Sequence, residues 1–234
     1  MHRVVEPELL DTLPASDPRA IRSRMDLRRI NSIMGHARLL TNAFYQHLDM
    51  ESARTRTLRV CELGAGDGTL LLKLARTWSS MDVTAEAEII DRHYLVSEET
   101  RRAFVAVNWS VAPLVVDVMT WLKQPAPPVD VMFANLFLHH FEDYQLRELL
   151  RLAAAKTNLF IACEPRRSAI AFACSHLLGL IGCNSVTRHD APISVQAGFV
   201  DNELTALWPR FSGWQFSEGP GGMFSHCFVA RRYG

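Results

Sequence analysis

His139 and His140, which follow an apolar run, and His189, beside Asp190, are the side chains best suited to moving a proton. A free phenol titrates at about 10 and an imidazole at about 6.5, so a histidine beside a hydroxylated ligand can take its proton or stabilise its anion. His140 is the first candidate for that base and His139 the second. His189 is the rival, because a carboxylate next to an imidazole orients it and raises its basicity. The histidine pair can equally be structural, held by hydrogen bonds at the start of a helix. A second chemical stretch is Glu62-Leu63-Gly64-Ala65-Gly66-Asp67-Gly68-Thr69. Its glycines let the chain turn sharply and let a ligand approach the backbone. A carboxylate at Glu62 is ill suited to a phosphate, and Thr69 stands where a dinucleotide fingerprint needs its third glycine. A ligand with a cationic head and a ribose fits better, lying against Glu62, Gly64, Ala65 and Gly66. A strand-to-helix turn with packing glycines is the plain alternative. Asp91, with Arg92 beside it, can accept from both hydroxyls of a ribose. Arg166 and Arg167 suit an acidic or phosphorylated ligand, or else form an exposed pair at a helix start. There is no H-x-x-H or H-E-x-x-H spacing, so no metal centre is expected.

The elements that must hold these residues follow from periodicity. Residues 1–15 carry Pro7 and Pro14 and read as an irregular lead-in. Asp17-Pro18 starts a helix with an apolar face of Ile21, Met25, Ile30, Ile33 and Met34. A second helix carries Leu39, Leu40, Ala43, Phe44 and Leu48. The strand before the glycine turn is followed by an apolar helix from about Leu70 to Trp78, and Val83 to Ile89 alternate as a second strand ending at Asp91. Pro113 lies inside the third strand and marks it as an edge. Val129 to Asn135 is a buried strand, and a fifth strand from Asn158 to Cys163 leads to Glu164. The stretch 168–182 is apolar nearly all round, which predicts a buried helix or the wall of an apolar pocket. Arg188 to Pro192 reads as a polar loop. Asp201 caps a short helix, and two strands flank Gly219-Pro220-Gly221-Gly222 as a closing hairpin.

The strand–E-x-G-x-G-x-G–helix pattern resembles the first motif of class I S-adenosylmethionine-dependent methyltransferases. Leu138-His139-His140-Phe141 resembles the fourth motif of their small-molecule branch, whose members tailor quinones and polyketides. The resemblance runs over roughly residues 58–231. It implies an α/β fold: a doubly wound, mostly parallel seven-stranded sheet with a C-terminal antiparallel hairpin strand. Residues 1–57 would form an N-terminal helical cap and 58–234 the methyltransferase domain. It implies S-adenosyl-L-methionine as cofactor and S-adenosyl-L-homocysteine as product. Asp117 would bond the adenine amino group, the backbone of Val118 a ring nitrogen, and Asn135 with Leu136 would lie where donor and acceptor meet. The segment Ile30 to Arg38 resembles the one ahead of the first motif in ubiquinone/menaquinone C-methyltransferases, although His36 is out of register. That implies a pairing of Arg38 with the cofactor carboxylate, against the alternative of a solvated helix arginine.

Composition narrows the partners. Lys+Arg and Asp+Glu are equal at 25 each among 234 residues, which lacks the electrostatic footprint of a nucleic-acid binder. Five scattered cysteines without C-x-x-C spacing read as free thiols in a reducing compartment. No stretch has the length and apolarity of a membrane span and no signal-peptide pattern is visible, so a cytoplasmic monomer or homodimer acting on a small aromatic or hydrophobic substrate is expected. Two other classes stay open: a nucleotide-dependent oxidoreductase on a Rossmann-like sheet, and a non-catalytic cofactor-binding scaffold. An RNA methyltransferase is disfavoured by the neutral charge and the lack of an Asn/Asp-Pro-Pro-Tyr motif.

Overall fold

The structure is a computed structural model that describes residues 1–210 and 212–233. Helices α1 (Leu9–Thr12), α2 (Pro18–Ile33), α3 (His36–His47) and α4 (Met50–Thr55) precede strand β1 (Leu58–Leu63). Then follow α5 (Thr69–Ser79), β2 (Ala85–Asp91), α6 (Glu98–Val105), β3 (Trp109–Val115), α7 (Val118–Lys123) and β4 (Val129–Asn135). The chain closes with α8 (Asp143–Lys156), β5 (Thr157–Pro165), α9 (Ala169–Ser175), α10 (Ser185–Ala197), α11 (Glu203–Leu207), β6 (Trp214–Pro220) and β7 (Ser225–Arg232). The seven strands form one sheet in the order β3-β2-β1-β4-β5-β7-β6, and β7 is antiparallel to both of its neighbours. The expected doubly wound architecture is therefore present, with the proline-bearing β3 at an edge and the hairpin at the other.

Strand alternation divides the core between the two faces of the sheet. Val60, Ile89, Val131, Phe133 and Ile161 face α3, α5 and α6; Cys61, Ile90, Met132, Ala134 and Phe160 face α7, α8 and α11. Phe44 of α3 stacks on Trp78 of α5 with ring centroids 3.6 Å apart, so segment 1–57 shares its core with the sheet. Asp17 accepts from the Arg19 N–H at the start of α2, with Pro18 in the first turn, as the sequence predicts. No helix among the described residues is long and apolar enough to cross a membrane.

Five expectations are corrected. The lead-in contains α1, whose backbone N–H groups at Leu9 and Leu10 donate to the Asp190 carboxylate. α2 buries Ala20, Ser23 and Asp26, whereas Ile21, Met25 and Ile33 are exposed. The cause is polar: Asp26 accepts from the backbone N–H of Asn184 and the hydroxyl of Thr187, and the Ser23 hydroxyl pairs with that of Thr187. The stretch 188–192 is no loop but part of α10, carried through Pro192 by burial of Val186, Asp190 and Val195. The stretch 168–182 breaks into α9 and a 3₁₀ turn, Leu178–Ile181, that ends at Gly182 with φ +79°. Ile170, Leu177 and Leu180 on it are exposed. At α11, Asp201 is not the cap; the Glu218 carboxylate accepts the N–H groups of Leu204 and Thr205 instead.

Candidate functional site

The glycine turn bends through left-handed backbone at Gly64 (φ +65°), Gly66 (+57°) and Gly68 (+71°). A Cβ at Gly64 would sit 2.1 Å from the Phe137 ring, whereas nothing lies within 4 Å of one at Gly66. Gly66 is thus the open floor of a cavity of about 520 Å³, and Phe137 seals the turn beside it. Gly64→Ala is expected to destabilise the protein by at least ~2 kcal/mol, since it combines a positive φ with overpacking. Urea denaturation checks this; an unchanged midpoint would contradict the close packing. Asp91, at the end of β2, is pinned between the N–H groups of Gly66 (2.8 Å) and His93 (2.9 Å) and lines the same cavity.

Among the described residues, the buried side-chain atoms Glu62 Oε2, Asn135 Oδ1 and His36 Nδ1 have no hydrogen-bond partner. Burial, with Asp67 and Asp91 nearby, pushes the Glu62 carboxyl well above its ordinary range. Asn135 donates its amide to Asn31 Oδ1 at 3.2 Å. Burial lowers His36 to about 4, so this imidazole is neutral, and it pairs through Nε2 with the Ser225 hydroxyl. A buried carboxyl with an unpartnered oxygen fits a bound cation with N–H donors.

At the end of β4, Leu136 takes φ +50°, a conformation that costs energy for a branched side chain and occurs characteristically at sites. The chain then turns into the 3₁₀ segment Leu138–His140. Glu164, fully buried at the end of β5, organises it by accepting the N–H groups of Phe137 (3.0 Å) and Leu138 (2.9 Å) and His139 Nδ1 at 2.7 Å. Glu8 faces the other ring nitrogen, Nε2, at 3.3 Å. Burial opposes a charge on His139, but the bonds to Glu164 and Glu8 outweigh it and raise its pKa to about 9. That favours the protonated ring and counts against His139 as the base. Ligand atoms of Glu8, His139 and His140 lie within 4.8 Å of one another. The proton on His139 Nε2 accounts for its contact with Glu8.

His140 differs. Its Nδ1 lies 3.3 Å from Asp11 Oδ2, and its side chain is 24% exposed and lines the cavity. Burial works against the Asp11 carboxylate, but the hydrogen bond from His140 and the charges of His140 and Arg92 hold it below its ordinary value. With Nδ1 turned to a carboxylate, Nε2 is left to act on a ligand. Glu8, the N-cap of α1, and Asp11 within it stand three residues apart, one facing each histidine.

Gly64, Gly66, Asp91, Arg92, Asp117, Val118, Leu136, His139 and His140 all line this one cavity. Asp117 also caps α7 by accepting the Thr120 N–H at 3.1 Å. Glu62, Ala65 and Asn135 lie behind the lining, buried. Two candidates fall elsewhere. Arg38, on α3, is exposed and outside the cavity; Arg24, on α2, lines it instead. His189 is outside as well, its partner Asp190 being engaged by the backbone of α1. Arg167 is buried rather than exposed, paired with Glu203 and bonded to the carbonyls of Gly198 and Met1, so it is structural. Glu8, Asp11 and Arg24 were not anticipated. The i, i+3 spacing of the two carboxylates in Glu8-Leu9-Leu10-Asp11 is the one signal for them in the sequence.

Comparison with solved structures relates this architecture to small-molecule methyltransferases. An O-methyltransferase family protein from Burkholderia thailandensis superposes with a TM-score of 0.60 at 16% identity, over 94% of this chain and 61% of its own. The plantazolicin methyltransferase BpumL, in complex with SAH, gives 0.62 at 14% identity over 93% and 91%. The mitomycin 7-O-methyltransferase MmcR gives 0.58 at 16% identity over 95% and 60%. This chain thus spans less than two thirds of the length of the first and last of these. No protein-family model and no curated protein sequence matches it. At such identities the likeness is one of fold, and the fold is that of the class I methyltransferases.

Proposed function

We propose that this protein is an S-adenosylmethionine-dependent methyltransferase that methylates oxygen or carbon in a small aromatic, phenolic or polyketide-like acceptor, with His140 as the base. The carrying observation is that the Asp11–His140 pair opens onto the same cavity as Gly64, Gly66 and Asp91. The donor set fits the cofactor. Glu62, buried with an unpartnered oxygen, suits the ammonium group, and a cation there would relieve its desolvation. Each oxygen of Asp91 keeps a free lone pair for a ribose hydroxyl after accepting one backbone N–H. Asp117 and Val118 suit the adenine edge, and Arg24 suits the carboxylate better than Arg38.

Bound S-adenosylmethionine supplies an electrophilic methyl group on a sulfonium. His140 Nε2 takes the proton of the acceptor hydroxyl as the new bond to the methyl carbon forms, and Asp11 holds the resulting imidazolium.

A thermal-shift titration tests the cofactor. S-adenosylhomocysteine at 100 times its dissociation constant should add about 2.7 kcal/mol, or roughly 5–11 °C for a chain of this size. NADH should add nothing. Stabilisation by NADH alone would replace this reading with the oxidoreductase one.

A further inference from the structure

The cavity wall is not uniform. Beside the histidines and carboxylates, it has an apolar stretch built by Leu27, Ile30 and Met34 on one stripe of α2, with Ala171, Cys174 and Leu178 from α9 and the turn after it. That stretch reaches the surface. Ile33 and Ile181 line the cavity and are also 69% and 45% exposed, so they form its apolar mouth. Arg29 donates to the Ile181 carbonyl at 3.1 Å, tying the turn to α2 at that point. Immediately outside, Leu177 and Leu180 are 55% and 83% exposed. Single exposed apolar residues need no explanation, but a group of them ringing a cavity mouth marks a binding surface. Arg92 and Asp117, the exposed polar part of the lining, belong to the proposed cofactor end. The cavity must hold the cofactor as well as the acceptor, so an acceptor larger than a ring has to extend through a mouth, and the apolar one is free.

We infer that the acceptor is an amphiphile: an ionisable hydroxylated head held at His140, and an alkyl chain of several carbons that runs along Leu27, Ile30, Met34 and Leu178 and emerges between Ile33 and Ile181. This rests on the methyltransferase reading for the position of the head but not for the existence of the channel.

Calorimetric titration of the full chain with phenol, 4-butylphenol and 4-octylphenol, in saturating S-adenosylhomocysteine, tests it. A fully buried methylene improves affinity by about fourfold. With the channel partly open, octyl should bind at least ~10-fold more tightly than butyl. The double variant Ile33→Glu/Ile181→Glu, whose sites are exposed and tolerate the change, should flatten that series. Its binding of phenol and of S-adenosylhomocysteine should stay unchanged. A flat series in the wild type overturns the channel. So does a flat series accompanied by flotation on phosphatidylcholine vesicles that the double variant loses, since the rim then docks on membranes. A steep series without any S-adenosylhomocysteine binding would support the channel and sink the methyl-transfer reading, so the two fail separately.

Discussion

His140→Ala is expected to lower kcat by about 10²–10⁴ while leaving the affinity for S-adenosylhomocysteine unchanged. The side chain is partly exposed at the cavity surface and makes no backbone contact through its ring, so its loss should not unfold the protein. The more discriminating variant is Asp11→Asn. An asparagine can donate its amide to Nδ1, which moves the ring proton to Nε2 and leaves no lone pair for the acceptor. The expected result is a loss of kcat of the same order, with KM for the acceptor unchanged. A merely structural Asp11 would instead change Tm and KM together. Single-turnover kinetics with a phenolic acceptor measures both. Turnover within threefold of wild type in His140→Ala would overturn the assignment, whatever the behaviour of Asp11.

That Asp11 belongs to the site could not be read ahead, for a physical reason. The glycine turn, the Asp17-Pro18 helix start, the edge proline, the alternation of β2 and the apolar runs of β1 and β4 are local signals. Each is written within a dozen residues, and each is where periodicity locates it. The turn α1 is not local. Four residues with no periodicity are held by Asp190, 181 residues away, and by Arg3, which donates to the carbonyls of His139 and Phe141 and pairs with Asp143. The same distance effect turned α2 over. A polar contact between Asp26 and α10 outweighed the usual burial of Ile21 and Met25. Proline at 192 read as a break, but tertiary packing overrode the propensity. The histidine pair was legible as chemistry; what sets the two rings apart was not, because Glu8, Asp11 and Glu164, which contact them, all come from elsewhere in the chain.

Glu164 is the residue whose loss should cost most stability. It is fully buried, holds the backbone that presents both histidines, and neutralises the His139 imidazolium. Removing one member of a buried ion pair leaves the other charge uncompensated, which typically costs about 3–5 kcal/mol. Glu164→Gln should therefore lower Tm by roughly 6–20 °C. Adding His139→Gln should recover part of that loss, because the stranded charge goes with it. The pH dependence has a definite sign. His139 is raised to about 9 in the folded state, so its contribution is complete below its unfolded value of about 6.5 and disappears as pH rises through 9. Glu8 and Glu164 are held below their ordinary value, so their contribution is present above it and fades as the solution is acidified past it. All three terms act together from about pH 5 to 6.5. Urea denaturation of the wild type should accordingly show a fall in stability from pH 6.5 to 9.5 that is smaller in Glu164→Gln, where Glu8 alone still pairs with His139. Parallel pH profiles for the two proteins would show that His139 does not carry the buried charge, and would return it to the pool of candidate bases.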